Sequence, residues 1–250
     1  MIKDKKILVT GGAGFIPSHI YDLLYKDNEV NIIDNLSAGT VENLPKGTKI
    51  YKFDLASQME WKRGRIEKLV KECDVVIDCA AQVSTFESMI VPRKDFIING
   101  FGKMMLIDTV AKVNPDALFI YTSSRSIHGE IPEPLVANEM FPYKSHSFYN
   151  LDKYYIEDAL KLYHKTYGIN HVIIRPANVY GPRMPSKGLY GFICRWIAYT
   201  IQNKPIQIWG DGKQIRDFTF VTDIAKAYPM VIDNPSTLNQ EFLLSSGRAV

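Results

Sequence analysis

Tyr149 and Lys153 stand four residues apart in Tyr149-Asn150-Leu151-Asp152-Lys153, at the head of a stretch with helical periodicity, so their side chains share one helix face. A phenol works as general acid and base near neutral pH only if its pKa falls from about 10 by roughly three units, about 4 kcal/mol. A cation about 4 Å away, at an effective dielectric of about 20, supplies about 4 kcal/mol. The Lys153 ammonium, helped by an oxidised nicotinamide, is therefore sufficient in magnitude. A Tyr-x-x-x-Lys pair also occurs on ordinary solvated helices. Chemistry is favoured here because Ser123-Ser124-Arg125-Ser126-Ile127-His128-Gly129 follows the apolar run Ala117–Thr122. Hydroxyls just past the carboxyl end of a parallel strand lie where α/β sheets bind ligands, and one of them can hydrogen-bond a substrate oxygen.

The elements around these groups read as alternating strands and helices, an α/β chain winding a doubly wound parallel sheet. Strands are predicted at Ile7–Thr10, Val30–Asp34, Lys49–Asp54, Asp74–Asp78, Ala117–Thr122 and Asn170–Arg175, with helices at Phe15–Lys26, Met59–Lys71, Pro92–Asn114 and Asp152–Tyr167. After Arg175 the rhythm loosens into a segment rich in Pro and Gly, then a helix, strands near Ile206–Trp209 and Arg216–Val221, and a helix from Thr222. The reading is a nucleotide-binding domain over 1–175 and a smaller lobe over 176–250.

The first strand runs into Thr10-Gly11-Gly12-Ala13-Gly14-Phe15-Ile16-Pro17, a glycine turn opening a helix. Such a turn lets backbone approach a pyrophosphate, whose charge the helix N-terminus stabilises. Asp34 ends the second strand, twenty-three residues after Gly11, where a carboxylate can accept hydrogen bonds from an adenosine ribose. A carboxylate repels a 2′-phosphate, which favours NAD over NADP. Pro17 stands where a third glycine is expected; in the first helical turn its missing N–H is tolerable. Asp54 suits either the adenine amino group or a turn cap. Ala80 and Ala81 are small enough for a cofactor to lie against them.

Of the 250 residues, 46% are hydrophobic and 23% charged, enough for a sizeable core. Lys plus Arg is 30 and Asp plus Glu 27, and the +3 net charge is scattered, which argues against nucleic-acid or membrane partners and for a small molecule. Cys73, Cys79 and Cys194 show neither a disulfide pattern nor zinc-knuckle spacing, so a reducing cytoplasmic setting is expected. The histidines show no ligand spacing, and no metal is predicted.

Together Thr10–His19, Asp34–Ser37, Asp74–Gln82, Asn99, Ser123–Gly129, Tyr149–Lys153, Arg175–Arg183 and Trp209-Gly210-Asp211-Gly212 through Phe218 resemble the extended short-chain dehydrogenase/reductases, the NAD-dependent epimerase/dehydratase family acting on nucleotide sugars. The resemblance implies a Rossmann-type fold, with Ser124, Tyr149 and Lys153 as catalytic residues. For NAD it implies Gly11, Gly14, Phe15, Ile16, Asp34, Asn35, Asp54, Leu55, Ala80, Ala81, Asn99, Tyr149, Lys153 and Pro176. For the nucleotide-sugar substrate it implies Ser124, Ser126, Asn178 and Arg216. Read from the residues alone, Asn178 is equally a turn residue and Arg216 a surface arginine paired with Asp217. The resemblance also implies a homodimer through the helices carrying Met104–Val113 and Tyr154–Tyr163.

A 4,6-dehydratase of this kind would carry an Asp-Glu pair just after the catalytic hydroxyl, where this chain has Arg125 and Ser126. That favours a UDP-sugar 4-epimerase of the UDP-glucose/UDP-galactose type. The alternatives are another NAD-dependent nucleotide-sugar enzyme (a UDP-glucuronate epimerase or decarboxylase, or a reductase) and a non-catalytic nucleotide-binding homologue. His128 departs from the family's usual tyrosine and reads as a pocket wall or a second base. The resemblance would continue the chain beyond Gly247 with further helices, so the substrate lobe reads as truncated.

Overall fold

The computed structural model describes residues 2–131, 135–185, 191–208, 210–248 and 250. Its centre is a seven-stranded sheet of β1 (Lys6–Thr10), β2 (Glu29–Asp34), β3 (Ile50–Lys52), β4 (Val75–Asp78), β5 (Leu118–Thr122), β6 (His171–Pro176) and β9 (Gln240–Leu244). The order is β3-β2-β1-β4-β5-β6-β9, and every neighbouring pair is parallel. Such a sheet is buried on both faces, which is why its strands are nearly continuous apolar runs. Ile7 and Val9 of β1 face one layer and Leu8 the other.

The first layer holds α1 (Phe15–Leu24) and α9 (Val221–Ile232), whose Ile20, Leu24, Ile224 and Tyr228 pack on Val75, Ile77, Ile120 and Val172. The second holds α3 (Arg65–Lys71), α6 (Gly102–Val113) and α7 (Phe148–Tyr167), through Ile66, Val70, Leu106, Val110, Ile156 and Leu160. Strand order reverses between β1 and β4, and the crevice at their carboxyl ends is where this topology receives ligands.

Two predicted helices are interrupted. Met59–Lys71 divides into α2 (Gln58–Trp61) and α3, because Gly64 turns the chain with φ +62°. Pro92–Asn114 divides into α5 (Pro92–Asp95), a π-helical turn over Phe96–Phe101, and α6; a short α4 (Thr85–Ile90) precedes it. Ser147 caps α7 by accepting from the Asn150 amide, so the helix begins at Phe148, one residue before Tyr149.

Residues 176–250 do not stay in one lobe. β7 (Asn178–Tyr180) and β8 (Phe218–Phe220) form a separate two-stranded parallel sheet, and α8 (Phe192–Ile201) lies between them in sequence. The chain then returns: α9 packs on α1, and β9 pairs with β6 from Val172–Gln240 to Pro176–Leu244. Apolar Phe242 and Leu244 join the same core as Ile174. The strand predicted at Ile206–Trp209 is absent over 206–208, a run too exposed to pack on a sheet, and Trp209 lies outside the described residues. Residues 186–190, in the Pro- and Gly-rich segment after Arg175, likewise lie outside them.

Candidate active site

The glycine turn closes the carboxyl end of β1. Gly11 has φ +66°, and a Cβ there would lie 2.7 Å from the Ala80 Cα, so β1 and the loop after β4 touch backbone to backbone. A Cβ on Gly12 would meet the Ile32 side chain at 2.6 Å. Gly14 caps α1 with no side-chain hydrogen bond, leaving the first-turn amides without a side-chain acceptor. Asp34, buried at the end of β2, accepts from the Ala13 amide (3.0 Å) and the Leu36 amide (2.7 Å). Burial raises its pKa and the two amides pull it back down. Each carboxylate oxygen keeps a further lone pair for a ribose hydroxyl. Glycine cradle, open helix terminus and carboxylate therefore fit a dinucleotide.

The other expected cofactor residues divide. Phe15, Ile16, Ala80 and Ala81 line the crevice ends half-buried, and Pro176 ends β6. Asn35 accepts from the Ser37 amide and Asp54 from the Ala56 amide, the turn-capping roles open to such residues. The Leu55 side chain is buried in the core beside Trp61, whose indole donates to the Leu55 carbonyl at 2.8 Å. Asn99, placed inward by the π-helical turn, is fully buried. Its Nδ2 donates to the Gln82 carbonyl (2.9 Å) and Asp95 Oδ1 (3.1 Å), while its Oδ1 accepts from the Gln82 amide (3.1 Å). Asn99 thus ties the loop after β4 to α5.

Ser124, Ser126 and Tyr149 converge at the carboxyl end of β5. Ser124 Oγ lies 2.8 Å from Ser126 Oγ, Ser126 Oγ donates to Asn150 Oδ1 (2.9 Å), and the Ser124 hydroxyl is near enough to the Tyr149 phenol to lower its pKa. Lys153 is buried, donates to the Thr122 carbonyl at 2.7 Å, and sits 4.8 Å over the Tyr121 ring and 5.8 Å from the centre of the Tyr149 ring. Burial pushes Tyr149 up to about 12, against the downward pull of Ser124. Burial, reinforced by the nearby Lys103 cation, brings Lys153 down to about 8. Lys153 is tied to a strand carbonyl rather than to the phenol oxygen.

Asn178 Nδ2 donates to the Asp217 carbonyl at 2.8 Å, joining β7 to the chain entering β8. Arg216 is exposed and its Nη1 donates to the Ile215 carbonyl. Asp217 does not pair with it: its carboxylate accepts from Ser246 and Gly247. Half-buried Arg125 donates to the Gly129 carbonyl; burial and the Arg216 charge lower its pKa. His128 is buried against Phe141, with Nδ1 at the Pro142 carbonyl, and desolvation lowers its pKa.

Residues 7–244 match the model of the NAD dependent epimerase/dehydratase family. The chain belongs to that family. A provisionally named UDP-glucose 4-epimerase of Methanocaldococcus jannaschii is 38% identical over 229 residues, covering 91% of this chain and 73% of that protein. Two solved structures are similar throughout. The UDP-N-acetylglucosamine 4-epimerase of Methanobrevibacter ruminantium, in complex with UDP-N-acetylmuramic acid, gives a TM-score of 0.91 at 33% identity over 100% of this chain and 79% of that one. The UDP-glucose 4-epimerase of Thermotoga maritima, with UDP-glucose, gives 0.89 at 31% identity over 98% and 78%. The chain thus spans about three quarters of the length of these relatives.

Several buried polar groups of this NAD-dependent family member escape a sequence reading. Lys103 of α6 reaches Asp78 at the end of β4 (Nζ to Oδ1 2.7 Å), and both are buried, at 1% and 0% side-chain exposure. Thr10 Oγ1 donates to the same oxygen (2.5 Å), and Lys103 also bonds the Ala80 carbonyl, so the ion pair lies directly beneath the glycine turn. The available signal was an Asp closing Val-Val-Ile-Asp, an acid in an otherwise apolar strand. Arg175 on β6 is similarly held by Glu157 of α7 and Glu241 of β9. Among the described residues no group of three or more His, Cys, Asp or Glu could hold a metal, and no helix is long and apolar enough to cross a membrane.

Proposed function

We propose that the protein is a UDP-sugar 4-epimerase of the UDP-glucose/UDP-galactose type, acting through a transient 4-keto sugar. The supporting observation is the hydroxyl set Ser124–Ser126–Tyr149 at the carboxyl end of β5, with Arg125 and Ser126 where a dehydratase would need carboxyl groups. Bound NAD supplies a hydride acceptor and donor for C4. The chain's own groups handle the proton. Ser124 hydrogen-bonds the sugar oxygen, and Tyr149 Oη takes its proton and later returns it. Lys153, fixed on the Thr122 carbonyl, holds positive charge below the phenol and favours its ionised form. Gly11, Gly14 and Asp34 hold the dinucleotide, Asn178 and Arg216 the sugar nucleotide, and the residues between β6 and β8 form the substrate lobe.

A second reading, UDP-glucuronate 4-epimerisation, is favoured by Arg125. Its guanidinium stands one residue from Ser124 and near enough to Arg216 for their charges to interact, an arrangement suited to a substrate with an anion beyond its diphosphate. A cytoplasmic homodimer is also proposed, supported by the exposed Leu151, Tyr155 and Leu162 of α7 and Phe96 beside them.

The deciding experiment incubates the protein with NAD and, separately, UDP-galactose, UDP-glucuronate and UDP-N-acetylglucosamine, resolving products by stereochemistry. Conversion of UDP-galactose to UDP-glucose without net NADH supports the first reading, and conversion of UDP-glucuronate alone the second. No epimer from any of the three refutes both. Tyr149→Phe should abolish conversion while leaving NAD binding in place, and retained turnover in that variant would remove the assigned proton transfer.

A further inference from the structure

Behind Tyr149 and Lys153 lies a pair of carboxyl groups for which the proposed reaction has no use. Asp95 ends α5 and Asp152 lies on α7, three residues past Tyr149. Both are buried, α5 packs on α7, and each carboxyl group acts on the titration of the other. Asp95 Oδ1 accepts from Gln82 Nε2 (2.9 Å) and Asn99 Nδ2 (3.1 Å). The Oδ2 atoms of both residues are buried without a hydrogen-bond partner. An ionised carboxylate can only accept, so two in contact away from water repel one another and leave lone pairs unmet. A single proton between them converts the contact into an O–H···O bond and halves the buried charge.

The surroundings do not supply that compensation otherwise. The titratable groups facing the pair are Lys153 and Tyr149 on α7, Glu87 on α4 and Tyr121 on β5. Lys153 is tied to the Thr122 carbonyl and Glu87 to Lys94 at 2.7 Å, so no cation reaches the pair directly.

We propose that Asp95 and Asp152 share one proton at neutral pH, and that this singly charged pair positions the site: it sets the charge felt by Tyr149 and, through Gln82 and Asn99, fixes the loop after β4. The Asp95 charge faces the phenol and opposes its ionisation. The shared proton limits that opposition to one charge; losing it at higher pH adds a second, and Tyr149 becomes harder to ionise. The carboxyl pair would then make the active tyrosine's acidity depend on a group that never touches substrate.

The test follows the carboxyl carbons by nuclear magnetic resonance in protein labelled with carbon-13 at aspartate Cγ, with Asp95→Asn and Asp152→Asn assigning the two signals. The expected result is a linked titration of Asp95 and Asp152 with one step well above the ordinary aspartate range of about 4, and a fall in the Asp95 step in Asp152→Asn. Two fully ionised carboxylates down to about pH 5, or an Asp95 titration unchanged in Asp152→Asn, would overturn the shared proton; should a variant not fold, the wild-type titration decides alone. The influence on Tyr149 rests on the epimerase reading. It is read from the pH profile of kcat/KM: Asp95→Asn should move the acid limb about one unit lower with KM nearly unchanged, and an unmoved limb overturns the tuning role. If no nucleotide sugar turns over, the functional reading fails while the carbon titration still decides the proton.

Discussion

Lys103 and Asp78 form a salt bridge shut off from water under the glycine turn. Removing one partner of such a pair strands the other charge, at a cost of about 3–5 kcal/mol, whereas removing both charges costs far less. Lys103→Met should therefore lower urea-unfolding stability by about that amount, and Lys103→Met combined with Asp78→Asn should restore most of it. A double variant no more stable than the single one would show that the pair is not coupled. Asp152 gives a pH test with a definite sign. Burial and the neighbouring Asp95 push its carboxyl up to about 7, against 3.8 for the free group. Its contribution to stability is full below 3.8 and is lost as pH rises through about 7, because the folded state retains a proton the unfolded chain gives up. Asp152→Asn, which has no proton to lose, should gain Tm relative to the parent between about pH 5 and about pH 8. A constant difference across that interval contradicts this account.

At the scale of elements, what was legible and what was not divide along physical lines. β1, the glycine turn, α1 and β2 were plain because apolar periodicity, turn chemistry and an end-of-strand carboxylate all coincide there. The head of α7, with Ser124, Tyr149 and Lys153 around it, was legible for the same reason. The π-helical turn over Phe96–Phe101 was not, since it shares the composition of the helices it joins. That turn is what buries Asn99. β9 was missed as well: Gln240–Leu244 is a short run whose place beside β6 depends on contacts far away in the sequence. Nor could spacing show that burial would carry Tyr149 upward, because desolvation is a property of the assembled site. The glycine turn supplies the prediction at this scale. Gly11→Ala places a methyl against the Ala80 backbone in a left-handed conformation, a strain of about 1–3 kcal/mol. NAD affinity, measured by calorimetry, should fall together with Tm, and unaltered affinity would mean that the turn does not contact the cofactor.

Across the whole molecule, β1 and β9 belong to one sheet although β4, β5 and β6 stand between them. Glu241 on β9 bonds both Arg175 of β6 and Lys161 of α7, so the last strand is joined by charge as well as by backbone. Glu241→Ala should speed amide hydrogen exchange across β6 and β9 while leaving β1 and β2 unchanged. Uniform acceleration through the sheet would show that the strands open as one unit.

Tyr228 on α9 bonds Thr122 Oγ1 at 2.7 Å, and the carbonyl of that same Thr122 holds Lys153. During synthesis, the ribosome releases the glycine turn more than two hundred residues before it releases Tyr228. A growing chain can therefore fold its nucleotide cradle early, but the strand residue anchoring its reactive lysine is locked only once Tyr228 has emerged. Binding capacity should precede catalytic competence in time, so a stalled nascent chain would be a cofactor sink before it is an enzyme.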